Sequence, residues 1–210
     1  MTDSAKIIAI LQNMASVIKE NAAWLTELDA AIGDNDHGIN LSRGFEKVTE
    51  KLPSLEDKDI GTIFRQTGMV LVGTVGGSSG PLYGQAFINA GKAMSGKTEI
   101  SLDDYLTIME EAIAGIQLRG KAVEKEKTML DALFPALRAM KEAKEQEADV
   151  YAVLSAGARA AKEGVEFTKT IIATKGRASY LGERSIGHAD PGAASASLCL
   201  EAVAMMYDPR

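Results

Sequence analysis

The sequence predicts an all-α protein. Three observations carry that prediction. Apolar residues recur at helical spacing along most of the chain, polar cap residues stand where those stripes begin, and no segment alternates like a half-buried strand. The first stripe is Ile7, Leu11, Met14 and Ile18. After it comes DAAIGDNDHG, residues 29–38, where Gly33 and Gly38 mark a turn out of one helix and into another. Residues 69–75 look strand-like but sit among helix formers, so they are expected to be a buried helix end. The segment GTVGGSSGPLYG, residues 73–84, opens a helix with Pro81 at its first helical position. Ser101 with Asp104 forms the acidic variant of a capping box ahead of Leu102, Tyr105, Met109, Ile113 and Ile116. The charge run 121–127 is expected to be a solvated loop. Thr128 with Asp131 resembles a second capping box before Leu130, Leu133, Leu137 and Met140, and Asp149 caps the stripe Val150, Leu154, Ala158, Ala161 and Val165. Residues 170–191 carry Gly176, Gly182 and Gly187 without any stripe, which predicts a long lid-like loop. Asp190 as N-cap and Pro191 at the next position start the final helix, expected to reach Arg210.

Bulk composition narrows the class. A chain of 210 residues with 46% apolar and 25% charged residues fits one soluble domain spanning 1–210. No apolar run approaches the ~20 residues of a membrane span, and the N-terminus lacks the shape of a signal peptide. The lone Cys199 has no internal disulfide partner, so a cytoplasmic setting is expected. A net charge of −6 leaves no basic stripe to neutralise phosphates, which argues against nucleic acid as a partner.

The chemistry concentrates in three segments. In the first, Asp29, Asp34 and Asp36 lie within eight residues. At about 100° per residue Asp29 and Asp34 would stand roughly 140° apart on a helix, so convergence requires the Gly33 turn. Crowded carboxylates repel, and an all-oxygen set suits Mg²⁺ or Ca²⁺ rather than zinc. The same spacing also suits a solvated acidic loop with capping aspartates. His37 is a candidate for orienting a carboxylate or touching a nucleotide, and Asn40, one turn on, for reaching the same place. In the second segment, 73–84, glycines free backbone N–H groups at a helix start, a place that suits phosphate; the alternative is that they allow close helix packing. The third segment pairs Asp190, Pro191 and Gly192 with Lys175, Arg177 and Arg184 upstream, candidates for clasping phosphate oxygens, although Arg184 reads better as a surface residue and His188 as a loop hydrogen-bonder. Metal carboxylates, helix N-termini and loop cations together meet the needs of phosphoryl transfer, and charge balance favours two Mg²⁺ ions over one.

Four stretches carry a family resemblance: LDAAIGDNDHG at 28–38, GGSSGPLYG at 76–84, KTMLD at 127–131, and GRASYLG at 176–182 running on to Asp190, Pro191 and Gly192. In that order they resemble the nucleotide-binding L subunit of dihydroxyacetone kinases that draw phosphate from the phosphotransferase system. The resemblance implies an antiparallel eight-helix barrel with a long loop covering a nucleotide pocket. It implies that Asp29, Asp34 and Asp36 hold two Mg²⁺ ions bridging ADP phosphates, and that His37, Gly38, Asn40, Ser78 and Ser79 line the nucleotide and phosphate. Met129 would pack on adenine, while Arg177 and Asp190 to Gly192 close over the ligand. Family members usually carry Gly-Asp before Lys-Thr-Met, where this chain reads Lys125-Glu126. The implied partners are a dihydroxyacetone-binding K subunit and a phosphohistidine carrier M subunit, with a transcription regulator in some organisms. The chain's first helix begins at Met1 and its last is expected to end at Arg210, so no substrate domain is expected here. Alternatives are a kinase subunit of the same build for another acceptor, such as a short ketose or a fatty acid, and a nucleotide-dependent regulatory protein.

Overall fold

The computed structural model describes residues 1–209. Among them are α1 (Ser4–Glu20), α2 (Ala22–Ile32), α3 (His37–Lys51), α4 (Ile60–Thr74), α5 (Ser79–Ala93), α6 (Leu102–Gly120), α7 (Leu130–Glu145), α8 (Val150–Thr168) and α9 (Pro191–Met205). The all-α expectation holds. Only Asn21 separates α1 from α2, and backbone bonds cross it, from Asn21 N–H to Val17 O (3.1 Å) and from Leu25 N–H to Asn21 O (2.9 Å). No helix among the described residues is long and apolar enough to cross a membrane. The chain divides into two compact units, one of residues 1–16 and 40–121, the other of residues 17–39 and 122 onward.

In the first unit α4, α5 and α6 pack in sequence, and glycines set their spacing. A Cβ at Gly61 would lie 2.6 Å from Gly91 O, and one at Gly68 would lie 2.6 Å from Gly84 O. Rising positions on α4 meet falling positions on α5, so the two run antiparallel at close range. The same logic pairs Gly115 with Gln85 and Gly120 with Leu82 across α5 and α6. Phe45 meets Tyr83 edge to face, with ring centroids 6.4 Å apart. The Ser101 capping box forms: Ser101 Oγ accepts from Asp104 N–H and Asp104 Oδ2 accepts from Ser101 N–H. Three expectations need correction. Residues 69–74 do belong to α4, and Leu71 and Val75 are buried, but Met69 and Val72 point outward, at 60% and 48% exposure. Pro81 is the third residue of α5, where its missing N–H still costs nothing because first-turn donors have no intrahelical partner. A short pairing of β1 (Thr2–Asp3) with β2 (Glu99–Ile100) was not legible, being too brief to alternate.

In the second unit α7 and α8 are antiparallel: a Cβ at Gly157 would strike Met140, and one at Gly164 would come 2.1 Å from Asp131 O. Leu130, Leu133, Leu137 and Met140 are all buried. On α8 the expected stripe is buried at Leu154, Ala161 and Val165, whereas Val150 is exposed and Val153 joins the buried face; Asp149 accepts from Ala152 N–H as the cap. The Thr128 capping box is only half formed. Asp131 Oδ2 accepts from Thr128 N–H at 2.8 Å, but Thr128 Oγ1 takes Leu130 N–H instead of the third-position amide. The helix α9, rich in alanine, packs against α2, α7 and α8, and its small side chains permit that central position. It stops at Met205, short of expectation; Arg210 lies outside the described residues. The segment 170–191 is not structureless. It contains a 3₁₀ stretch, Arg177–Ser185, broken at Gly182 (φ 55°), and seats Ala173, Ala178 and Leu181 on Ile32. The charge run is not uniformly solvated either: Lys127 is 1% exposed.

Candidate functional site

The acidic turn is built by the junction of α2 and α3. Gly33 N–H returns to Asp29 O at 2.6 Å, Asn35 takes a left-handed φ of 62°, and the chain re-enters helix at His37. Gly33 is required by contact: a Cβ there would lie 2.0 Å from Asp29 Oδ1. Asp29 is buried in the last turn of α2, and its Oδ2 accepts from the N–H groups of Asp36 (2.9 Å) and His37 (3.1 Å). One carboxylate therefore caps the next helix and anchors the turn. One oxygen each from Asp29, Asp34 and Asp36 then fall within 4.8 Å of one another, with Asp34 exposed and Asp36 half-buried. Asp29 thus serves as a capping aspartate while the three carboxylates converge. Arg177 Nη2 lies 2.9 Å from Asp34 Oδ2. Of the three candidate loop cations it is the one that reaches the cluster. Lys175 faces Glu126 at 3.9 Å, and Arg184 is exposed.

His37 is buried, and its Nε2 meets Ser195 Oγ at 2.9 Å; Ser195 Oγ in turn donates to Gly192 O at 3.1 Å. Burial lowers the His37 pKa, with the negative charges of Asp29 and Asp36 pulling the other way. The imidazole thus ties the acidic turn to the first turn of α9. There Asp190 is the N-cap, accepting from Ala193 N–H at 2.7 Å, and Pro191 fills the first helical position as expected. Burial pushes the Asp190 carboxyl up to about 7; Asp131 and Asp29 add to the rise, while Ala193 N–H and the Lys127 ammonium oppose it. Gly192 lies beside Met129, 3.6 Å from Met129 Cβ to the position a Cβ would take, and Met129 is buried. Gly38 serves close packing, since a Cβ there would lie 2.0 Å from Ala22 O. The second unit therefore gathers Asp29, Asp34, Asp36, His37, Arg177, Met129, Asp190, Pro191 and Gly192.

Asn40, Ser78 and Ser79 belong to the first unit. Asn40 Oδ1 accepts from Arg43 Nη2 at 2.8 Å, and its amide lies 3.0 Å from where a Gly76 Cβ would sit. Ser78 precedes α5 without a side-chain cap bond, and Ser79 is the first helical residue. The glycines there divide between the two readings. Gly80 and Gly84 are pressed against Val75 O and Val72, a packing role, whereas Gly77 is open and takes φ 66°.

Sequence reasoning missed Lys127. Its Nζ donates to Thr168 O, to His188 O (2.6 Å) and to Ile171 O (3.4 Å). The one available signal was its place inside KTMLD, which should have separated it from the solvated lysines before it.

The fold and site define a helical protein with a converging carboxylate cluster and a cation-bearing loop. Residues 31–205 match the DAK2 domain, and the chain belongs to that family. It is 42% identical over 200 residues to the PEP-dependent dihydroxyacetone kinase, ADP-binding subunit DhaL, of Escherichia coli (strain K12), covering 95% of each chain. It is 41% identical over 184 residues to the PTS-dependent counterpart, ADP-binding subunit DhaL, of Lactococcus lactis subsp. lactis, covering 88% of each. The crystal structure of the dihydroxyacetone kinase from C. freundii in complex with AMP-PNP and Mg²⁺ superposes with a TM-score of 0.73 at 25% identity. That match covers 97% of this chain and 34% of that longer one.

Proposed function

We propose that this chain, as one nucleotide-binding domain over residues 1–210, is the ADP/ATP-binding phosphoryl-transfer subunit of a cytoplasmic dihydroxyacetone kinase. The observation that carries the reading is the trio of carboxylate oxygens within 4.8 Å, with Arg177 on Asp34. An octahedral ion at about 2.1 Å from each ligand needs oxygens about 3–4 Å apart, so the cluster fits a hard cation with small side-chain adjustments. Asp29, Asp34 and Asp36 would hold two Mg²⁺ ions, whose bound charge would offset both the carboxylates and a diphosphate. Asp29 cannot wander, because two backbone N–H groups and the missing Gly33 Cβ fix it. Arg177 is the chain's own cation for an incoming phosphate, and binding trades its partner from carboxylate to phosphoryl oxygen. The buried Met129 and the small first turn of α9, Pro191 and Gly192, offer an apolar surface for a base. His37, Gly38, Asn40, Ser78 and Ser79 complete the set assigned to nucleotide and phosphate.

In this reading a phosphohistidine carrier, the M subunit, restores the terminal phosphate of a resident nucleotide. A K subunit presents dihydroxyacetone to receive it. The chain's part is positioning and charge neutralisation, as expected where phosphoryl transfer demands little covalent chemistry from the protein. The test is direct. Desalted protein denatured in acid should release close to one equivalent of ADP by chromatography, and reconstitution with K and M subunits should phosphorylate dihydroxyacetone. Nucleotide-free protein that also fails to bind ADP with Mg²⁺ would overturn the proposal.

A further inference from the structure

The segment 170–191 carries Arg177 and ends at Asp190, yet its two ends meet at one side chain. Lys127 Nζ donates to Thr168 O and Ile171 O where the segment leaves α8, and to His188 O where it returns to α9. An ammonium has three donors, and here three carbonyls accept them, so a buried cation is satisfied without a carboxylate bonded to it. Asp131 and Asp190 are the acidic groups near enough to act on its charge. Other ties reinforce the closure. Gly187 N–H donates to Lys169 O at 2.8 Å and Asp190 N–H to Thr168 Oγ1 at 2.9 Å. The residue before Lys127 holds the segment too, with Thr174 N–H donating to Glu126 O and Lys175 facing the Glu126 carboxylate. Lys127 itself takes a left-handed φ of 61°, a conformation costly for a side-chain-bearing residue and kept only where surroundings demand it. Two residues on, Met129 lies against Gly192. One strap therefore sets both the base of the loop and the wall beside α9.

We propose that Lys127 is a positioning residue: its ammonium clamps both ends of the 170–191 segment, so that Arg177 is held at Asp34 and the loop resists opening. It acts through three main-chain carbonyls rather than on the carboxylate cluster. The consequence for nucleotide retention rests on the function proposed above, but the clamp itself is testable without nucleotide.

The test compares wild type with Lys127→Met, which keeps the stem length and removes the charge, and with Lys127→Arg, which keeps the charge in a planar fork unable to converge on three carbonyls. In nucleotide-free protein, trypsin cuts after Lys175, Arg177 and Arg184 report loop opening. Losing even one charge-assisted bond corresponds to about a tenfold change in the opening equilibrium. Lys127→Met should therefore raise cleavage at those three positions about tenfold or more, while amide exchange in α7 and α8 and the circular-dichroism signal stay near wild type. Lys127→Arg should fall between, and it provides the comparison if Lys127→Met fails to fold. Unchanged loop cleavage in the folded variants, or cleavage and helix exchange rising together everywhere, would overturn the clamp. With ADP and Mg²⁺ added, nucleotide release should speed up by a similar factor. A wild type that binds no nucleotide would sink the functional reading while leaving the proteolysis result standing.

Discussion

Replacing Asp34 with alanine separates a metal ligand from a structural residue, because the two roles predict opposite signs. Its carboxylate lies within 4.8 Å of the other two, and its side chain keeps 35% exposure. Two unit charges at that distance repel by about 0.9 kcal/mol in water and about 3.5 kcal/mol at an effective dielectric constant of 20. Exposure favours the lower figure, so deleting Asp34 relieves about 2 kcal/mol over two pairs. The lost Arg177 ion pair, exposed on both sides, is worth at most about 1 kcal/mol. Ligand-free Asp34→Ala should therefore be about 1–2 kcal/mol more stable than wild type. With ADP and Mg²⁺ at a hundredfold excess over Kd, wild type should gain about 2.7 kcal/mol, which for a chain of this size is roughly 5–10 °C in Tm. The variant should lose most of that gain. Scanning calorimetry with and without ligand reads both numbers. A variant destabilised by several kcal/mol without ligand, or one keeping the full ligand shift, would refute the argument.

Three further outcomes are expected. Gly33→Ala drives a Cβ to 2.0 Å from Asp29 Oδ1, so the carboxylate must leave its place and ADP affinity with Mg²⁺, measured by calorimetric titration, should fall at least tenfold; unchanged affinity counts against Asp29 as a ligand. Lys125 occupies φ 72°, a left-handed conformation that glycine adopts without strain, so Lys125→Gly should stabilise the chain by about 1 kcal/mol in urea unfolding, and a loss of stability would show that its side chain contributes more than the backbone costs. Asp59 caps α4, accepting from Thr62 N–H and Oγ1 and from Gly96 N–H, and the Thr62 hydroxyl bond leads in holding its carboxyl below the usual range despite some desolvation. A depressed carboxyl stabilises the fold above the unfolded pKa and loses that contribution as pH falls through the folded one. Asp59→Ala should thus cost about 1 kcal/mol at pH 7 and much less in strong acid, and a gap that persists in acid would contradict the assignment.

The carboxylate cluster and the helical class were legible because both are local. A stripe of Leu130, Leu133, Leu137 and Met140 fixes its own period, and Ser101 with Asp104 or Asp190 with Pro191 act within one turn. The three aspartates converge across a turn only eight residues long, dictated by one glycine. Where the sequence misled, the deciding partner was distant. The packing of α8 against α7 and α9 leaves Val150, expected inside, exposed, while Leu154, Ala161 and Val165 are buried as expected. Arg177, by contrast, was the loop cation that the resemblance named, and the structure adds the 3₁₀ stretch that places it at Asp34.

Lys127 marks the boundary most clearly. Within a run of charges its composition signals solvent, and main-chain oxygens 41, 44 and 61 positions away make burial tolerable. Periodicity, caps and the converging carboxylates are written in neighbouring residues, so the linear chain determined them. Desolvation of a charge depends on what the whole fold brings around it, and that only the tertiary structure decided.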